Sequence, residues 1–173
     1  MLQKLFKRLR NKMTEKELLN EIKQRPLPEY FYRGFSSKEC FTTFGYIGPG
    51  AFLFQPNTKE PRNDSYNEAS INWDDDEGAL TVLKTQINAR TGEPQFKFGY
   101  VRIPMSAILP LVRNHIQNGH FSYERAPLVE NHYHGNLLAH SDLKGQDYKL
   151  LQDGLALVAT SFFQQEEEPS FIR

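Results

Sequence analysis

The stretch from Phe121 to His140, FSYERAPLVENHYHGNLLAH, constrains the fold more than any other part of the chain. It reads as a strand, a tight loop and a second strand, and it gathers Arg125, Asn131, His132, His134, Asn136 and His140 into one short span. No catalytic signature lies within it. With 173 residues there is room for one ordinary core, and 13 Phe and 8 Tyr supply the apolar area that a hydrophobic fraction of 39% understates. The expected organisation is a basic, amphipathic helical segment over 1–25, a single α+β domain over 26–163 and a solvated tail over 164–173.

Charge excludes some partners. Lys plus Arg equals Asp plus Glu at 21 each, so no overall field draws nucleic acid, a membrane or an acidic substrate to the chain. The single cysteine, Cys40, rules out an internal disulfide and a multi-cysteine zinc cage, and it fits a reducing compartment. No apolar run has the length of a signal-peptide core or a membrane span, which points to a cytoplasmic protein. Residues 1–12, MLQKLFKRLRNK, place Leu2, Leu5, Phe6 and Leu9 on one side of a basic helix. Docking on its own domain or on a partner is the first reading of that helix, and a weak membrane-surface or nucleic-acid contact the second.

Further along, Thr14 and Glu17 form a capping box for a helix that must end before Pro26. EYFYRGFSS reads as an aromatic strand stopping near Gly34, with Arg33 its only basic residue. Cys40 to Phe54 reads as two strands around the turn Gly48-Pro49-Gly50, and residues 55–68 as a polar loop of the kind that serves as a lid. Ala69 to Trp73 is a short strand. Asp74, Asp75, Asp76 and Glu77 then stand where a helix N-terminus favours carboxylates, with a divalent-cation site as the alternative. A strand over Phe96–Ile103, a helix over Ile108–Ile116 with Pro110 in its first turn, and a closing helix over Asp147–Phe163 complete the reading. Asp153-Gly154 permits a hairpin in place of that last helix.

Together these elements predict an α+β fold: a mainly antiparallel sheet of about five to six strands, two or three packed helices, and the N-terminal basic amphipathic helix. The candidate ligand-binding residues are Arg33, Arg125, Asn131 and His134, which a sheet can bring together to hold a phosphate or carboxylate. In a second reading, His132 and His134 share zinc or iron with Asp142 or Asp74. No nucleophile with a matched base stands out, because Cys40 lacks a context that would lower its pKa and no G-x-S-x-G elbow occurs.

The order FYRG, SINW and ERAPLVENHYHGNLL is similar to that of small bacterial proteins. Arg33 in FYRG followed by Ser70 on a middle strand also resembles ADP-ribosyltransferase-like folds, in which an Arg or His and a Ser help bind NAD. The glutamate such enzymes use has no clear counterpart, since Glu166, Glu167 and Glu168 fall in the expected tail. The leading expectation is a binding or interaction module of a bacterial cytoplasm acting on a protein partner through the 126–136 loop. An enzyme or binding protein for a nucleotide or other phosphate-containing small molecule is the alternative.

Overall fold

Along YNEASINW, Ala69, Ile71 and Trp73 alternate with Glu68, Ser70 and Asn72, which gives a strand one apolar and one polar side. The sheet is assembled around this strand. The computed structural model describes residues 14–56 and 66–166. Its strands are β1 (Tyr30–Gly34), β2 (Gln55–Pro56), β3 (Tyr66–Trp73), β4 (Tyr100–Pro104), β5 (Phe121–Arg125) and β6 (His134–His140). All pair antiparallel in the order β4-β1-β3-β6-β5, with β2 added to β3 beyond the end of β1.

Among the described residues, four α-helices accompany the sheet: α1 (Glu15–Gln24), α2 (Glu77–Thr85), α3 (Met105–Gln117) and α4 (Gly145–Glu166). The architecture is therefore α+β with a six-stranded antiparallel sheet. Ile108 and Val112 of α3 and Leu151, Leu155, Ala159 and Phe163 of α4 share one core with Phe31, Ile71, Trp73, Ile103, Phe121 and Leu137 of the sheet. On the opposite face, α2 packs through Ala79 and Leu83 against Tyr32. Within the same residues, no helix is long and apolar enough to cross a membrane.

Local rules account for most boundaries. The Thr14–Glu17 capping box opens α1. Asp76 accepts the Gly78 N–H at 2.8 Å and opens α2. Other boundaries depart from the sequence reading. Residues 40–54 form two 3₁₀ turns, Lys38–Cys40 and Pro49–Phe52, with a single bridge between Phe41 and Ile47, because Pro49 sits at a helix start and cannot donate to a strand ladder. α3 begins at Met105, so Pro110 lies in its interior on the exposed side, where the missing N–H leaves an acceptor that water can reach.

α4 runs unbroken through Asp153-Gly154. A Cβ at Gly154 would come within 2.6 Å of Leu111, so this glycine serves the close approach of α3 and α4 rather than a turn. The helix expected over residues 1–12, residues 57–65 of the loop expected over 55–68 and the tail from 167 lie outside the described residues; the two ends of that loop, Gln55–Pro56 and residues 66–68, are strand instead, and the last helix runs on to Glu166.

Candidate functional site

Residues directly opposite each other in an antiparallel pair share a face of the sheet. One row across the face that carries α2 is therefore Arg102, Tyr32, Asn72 and His134, and the next is Ser70, Asn136 and Glu124. A third row holds Gln55, Glu68, Leu138 and Ser122. Of these, Tyr32, Asn72, His134, Ser70, Asn136, Glu124, Gln55 and Glu68 line an open cleft of about 1070 Å³, bordered by Leu83 and Gln86 at one end and by Ala126, Pro127, Leu128, Glu130 and Asn131 at the other.

The 126–133 loop is a built wall. Ala126 N–H donates to the His134 carbonyl at 3.0 Å, and Leu128 and Asn131 exchange backbone hydrogen bonds of 2.9 and 3.1 Å around the tip. The Tyr133 carbonyl accepts from Trp73 N–H at 2.8 Å, which continues the sheet into the loop, and Tyr133 O–H reaches Asp76 at 2.8 Å. Asn131, buried at the base, accepts the Tyr133 N–H at 3.1 Å and donates to Asn72 Oδ1 at 2.9 Å.

All four residues singled out as ligand-binding candidates border this cleft, but their roles differ. The Arg125 guanidinium makes two bonds to Asp75 of 2.7 and 2.6 Å and donates to the carbonyls of Arg25 and Pro26 at 3.2 and 2.6 Å. It clamps the end of β5 to the β3–α2 and α1–β1 connections. Arg33 closes a seam in the sheet. β1 leaves β3 after Tyr32–Asn72 and β2 joins at Gln55–Glu68, so the Ser70 carbonyl falls between them and takes a hydrogen bond from Arg33 instead. Arg33 Nε also donates to the Ala51 carbonyl at 2.8 Å, and the guanidinium lies 5.8 Å from the Phe52 ring centre.

Burial pulls the Arg33 pKa down to about 10, against the influence of nearby Cys40, so the group remains a cation at neutral pH. Both arginines thus already donate to protein acceptors. The Arg33–Ser70 pair that suggested an NAD site is joined through the Ser70 backbone.

His134 is different. Its Nδ1 lies 2.7 Å from the Ala126 carbonyl, which can only accept, so Nδ1 carries the proton and Nε2 presents a lone pair. Burial holds its pKa below the ordinary value of 6.5, although the Ala126 bond and the charges of Glu68, Glu130 and Glu124 oppose the shift. The unfolded chain, with an ordinary histidine, then binds more protons once the pH drops below about 6.5. Stability at this site is complete above that pH and is lost as the pH falls toward the folded pKa. Urea denaturation at pH 7.5 and 5.5 is expected to show a smaller loss of stability in His134→Asn than in the parent chain, and equal losses would remove the assignment.

Two further residues stand outside the set of candidates drawn from the sequence, Asn72 and Asn136, both buried on this face. Asn136 donates to Glu68 at 3.2 Å, while its Oδ1 and the Nδ2 of Asn72 have no hydrogen-bond partner. A usable signal did exist: asparagine is disfavoured inside strands, yet SINW and HGNLL each hold one among apolar neighbours.

The residues of the two metal readings do not come together. Among the described residues, no group of three or more His, Cys, Asp or Glu side chains converges as an ion would require. His134 Nδ1 is engaged by Ala126, and His132 lies in the loop rather than on the strand. Asp142 lies beyond the far end of β6, 3.6 Å from His140; the length of the strand, at about 3.3 Å per residue, separates His140 from His134. The acidic run is likewise structural: Asp74 pairs with Arg102 at 2.6 Å, Asp75 with Arg125, and Asp76 caps α2.

No family model matches the chain, and neither a curated protein nor a solved structure matches it.

Proposed function

We propose that this protein works by binding, taking a small polar ligand into the cleft between the polar face of the sheet and the 126–136 loop. The observation that carries this reading is the floor of the cleft, where two buried asparagines keep polar atoms without partners beside a neutral histidine. Leaving such groups unpaired costs roughly 1–3 kcal/mol each, a cost that a ligand completing their hydrogen bonds would offset. The cleft volume suits a small molecule.

An anionic ligand fits less well. Glu39, Glu68, Glu124 and Glu130 border the cleft against one lysine, Lys23, and the two arginines that would answer a phosphate already donate to protein acceptors. A protein partner at the same rim is the second reading, favoured by Leu128 and Val129, which are 41% and 57% exposed at the tip of the loop. A bacterial cytoplasmic setting accords with the single cysteine, Cys40, which is free and buried.

Thermal denaturation against nucleosides, nucleotides, amino acids, sugars and divalent metals tests the reading, because a ligand of the folded state raises the melting temperature by mass action. At least one polar small molecule is expected to raise it, with His134→Asn reducing the shift. A panel without any shift would overturn the cleft as a ligand site and leave the Leu128–Val129 surface as the binding element.

A further inference from the structure

We infer that the ligand of this cleft is the uncharged edge of a nucleobase, recognised without its phosphate. The inference rests on the cleft reading above and names the ligand class. The orientations of both asparagine amides follow from their neighbours. A backbone N–H, that of Tyr133, bonds Asn131 Oδ1, so Asn131 must turn its Nδ2 toward Asn72. Asn72 must answer with its oxygen, which leaves its Nδ2 as a free donor. Asn136 gives its Nδ2 to the Glu68 carboxylate, which leaves its Oδ1 as a free acceptor. His134, the strand partner of Asn72, carries a second acceptor on Nε2.

One donor and two acceptors thus gather on two adjacent strands. Their complement is a planar group that carries N–H donors next to an acceptor. A sugar hydroxyl can satisfy any one of these atoms, but a nucleobase edge offers both kinds of group in one plane. Aromatic surface for such a plane is at hand in Phe96, a half-buried residue that borders the cleft and whose ring lies against Gly34. The carboxylates at the rim disfavour a phosphate. Both free atoms lie just below the cleft surface, so entry of the base includes a shift of the side chains above them.

Isothermal titration of the full chain with guanosine, adenosine, cytidine and uridine, and with their 5′-monophosphates, tests this. At least one nucleoside is expected to bind, its monophosphate no more tightly. Asn136→Val and Asn136→Thr supply the control, since the two introduced side chains share a shape and differ in one oxygen. Valine is expected to weaken binding about 10–100-fold, because the base is left with an unanswered donor, and threonine to retain part of the affinity. Valine is also expected to keep or raise the melting temperature.

Equal affinity in the Asn136→Val variant and the parent protein would overturn the proposal and reduce the asparagine atoms to a water site. Binding of the monophosphates alone would overturn it as well. If no nucleoside binds while another compound of the wider panel does, the cleft stands and the nucleobase assignment fails. If nothing binds, both fall.

Discussion

Replacing Arg125 by methionine is expected to destabilise the chain by about 3–5 kcal/mol, the cost of breaking a buried ion pair by removing one partner. For a domain of this length, that corresponds to a melting temperature lower by about 6–20 °C. The Arg125 side chain is only 2% exposed, and its loss would leave the Asp75 carboxylate and the carbonyls of Arg25 and Pro26 without their donor. Asp75 is 21% exposed and keeps some hydration, which favours the lower end of the range. Since the charge left behind causes most of the damage, adding Asp75→Leu is expected to recover part of the stability.

Salt discriminates further. The exposed Arg25–Glu21 and Lys97–Glu93 pairs are screened and contribute little, whereas the Arg125 effect is expected to persist in 1 M salt, where the Debye length is about 3 Å. An effect within about 0.5 kcal/mol, the range of ordinary surface substitutions, would show that Arg125 does not clamp these elements.

Gly135→Ala carries the second large effect, about 3–5 kcal/mol from overpacking together with a lost buried hydrogen bond. A Cβ at this position would overlap the Trp73 indole nitrogen and approach the Glu124 carbonyl oxygen to 2.7 Å. The carbonyl belongs to the β5 backbone and cannot retreat without loosening its pairing with β6. The indole must therefore move, breaking its 3.0 Å hydrogen bond to that carbonyl. Trp73 is the only tryptophan in the chain and is fully buried, so its fluorescence is expected to shift to the red as the melting temperature falls. Unchanged emission and stability would show that the contact is not tight. Trp73→Phe in the same chain is expected to relieve part of the strain, because it removes the colliding nitrogen.

These two residues show how far the sequence carries. Both are conspicuous in ERAPLVENHYHGNLL. Arg125 reads there as an anion-binding candidate. In the folded chain Arg125 is a structural clamp, and Gly135 is a strand residue that makes room for an indole. Their partners, Asp75 and Trp73, lie far away in the chain, and no local pattern links them. The acidic run after Trp73 is readable as a helix N-terminus, but not the separate ion pairs of Asp74 and Asp75, for the same reason. The candidate site divides in the same way: His134 and Asn131 stand out in the sequence, whereas Asn72 becomes their neighbour only through the pairing of β3 with β6.

Local and periodic features needed nothing beyond the order of the residues. The alternation along β3, the capping box of α1, the acidic start of α2 and the spacing of Leu151, Leu155 and Val158 each specify an element from neighbouring residues, because backbone geometry repeats every two or 3.6 residues. Folding in three dimensions alone settled which polar side chains were satisfied. Arg33 and Arg125 found protein acceptors; Asn72 and Asn136 each kept one atom without a partner. Hydrogen-bond satisfaction depends on distance and direction between residues far apart in the chain, and strand register sets both.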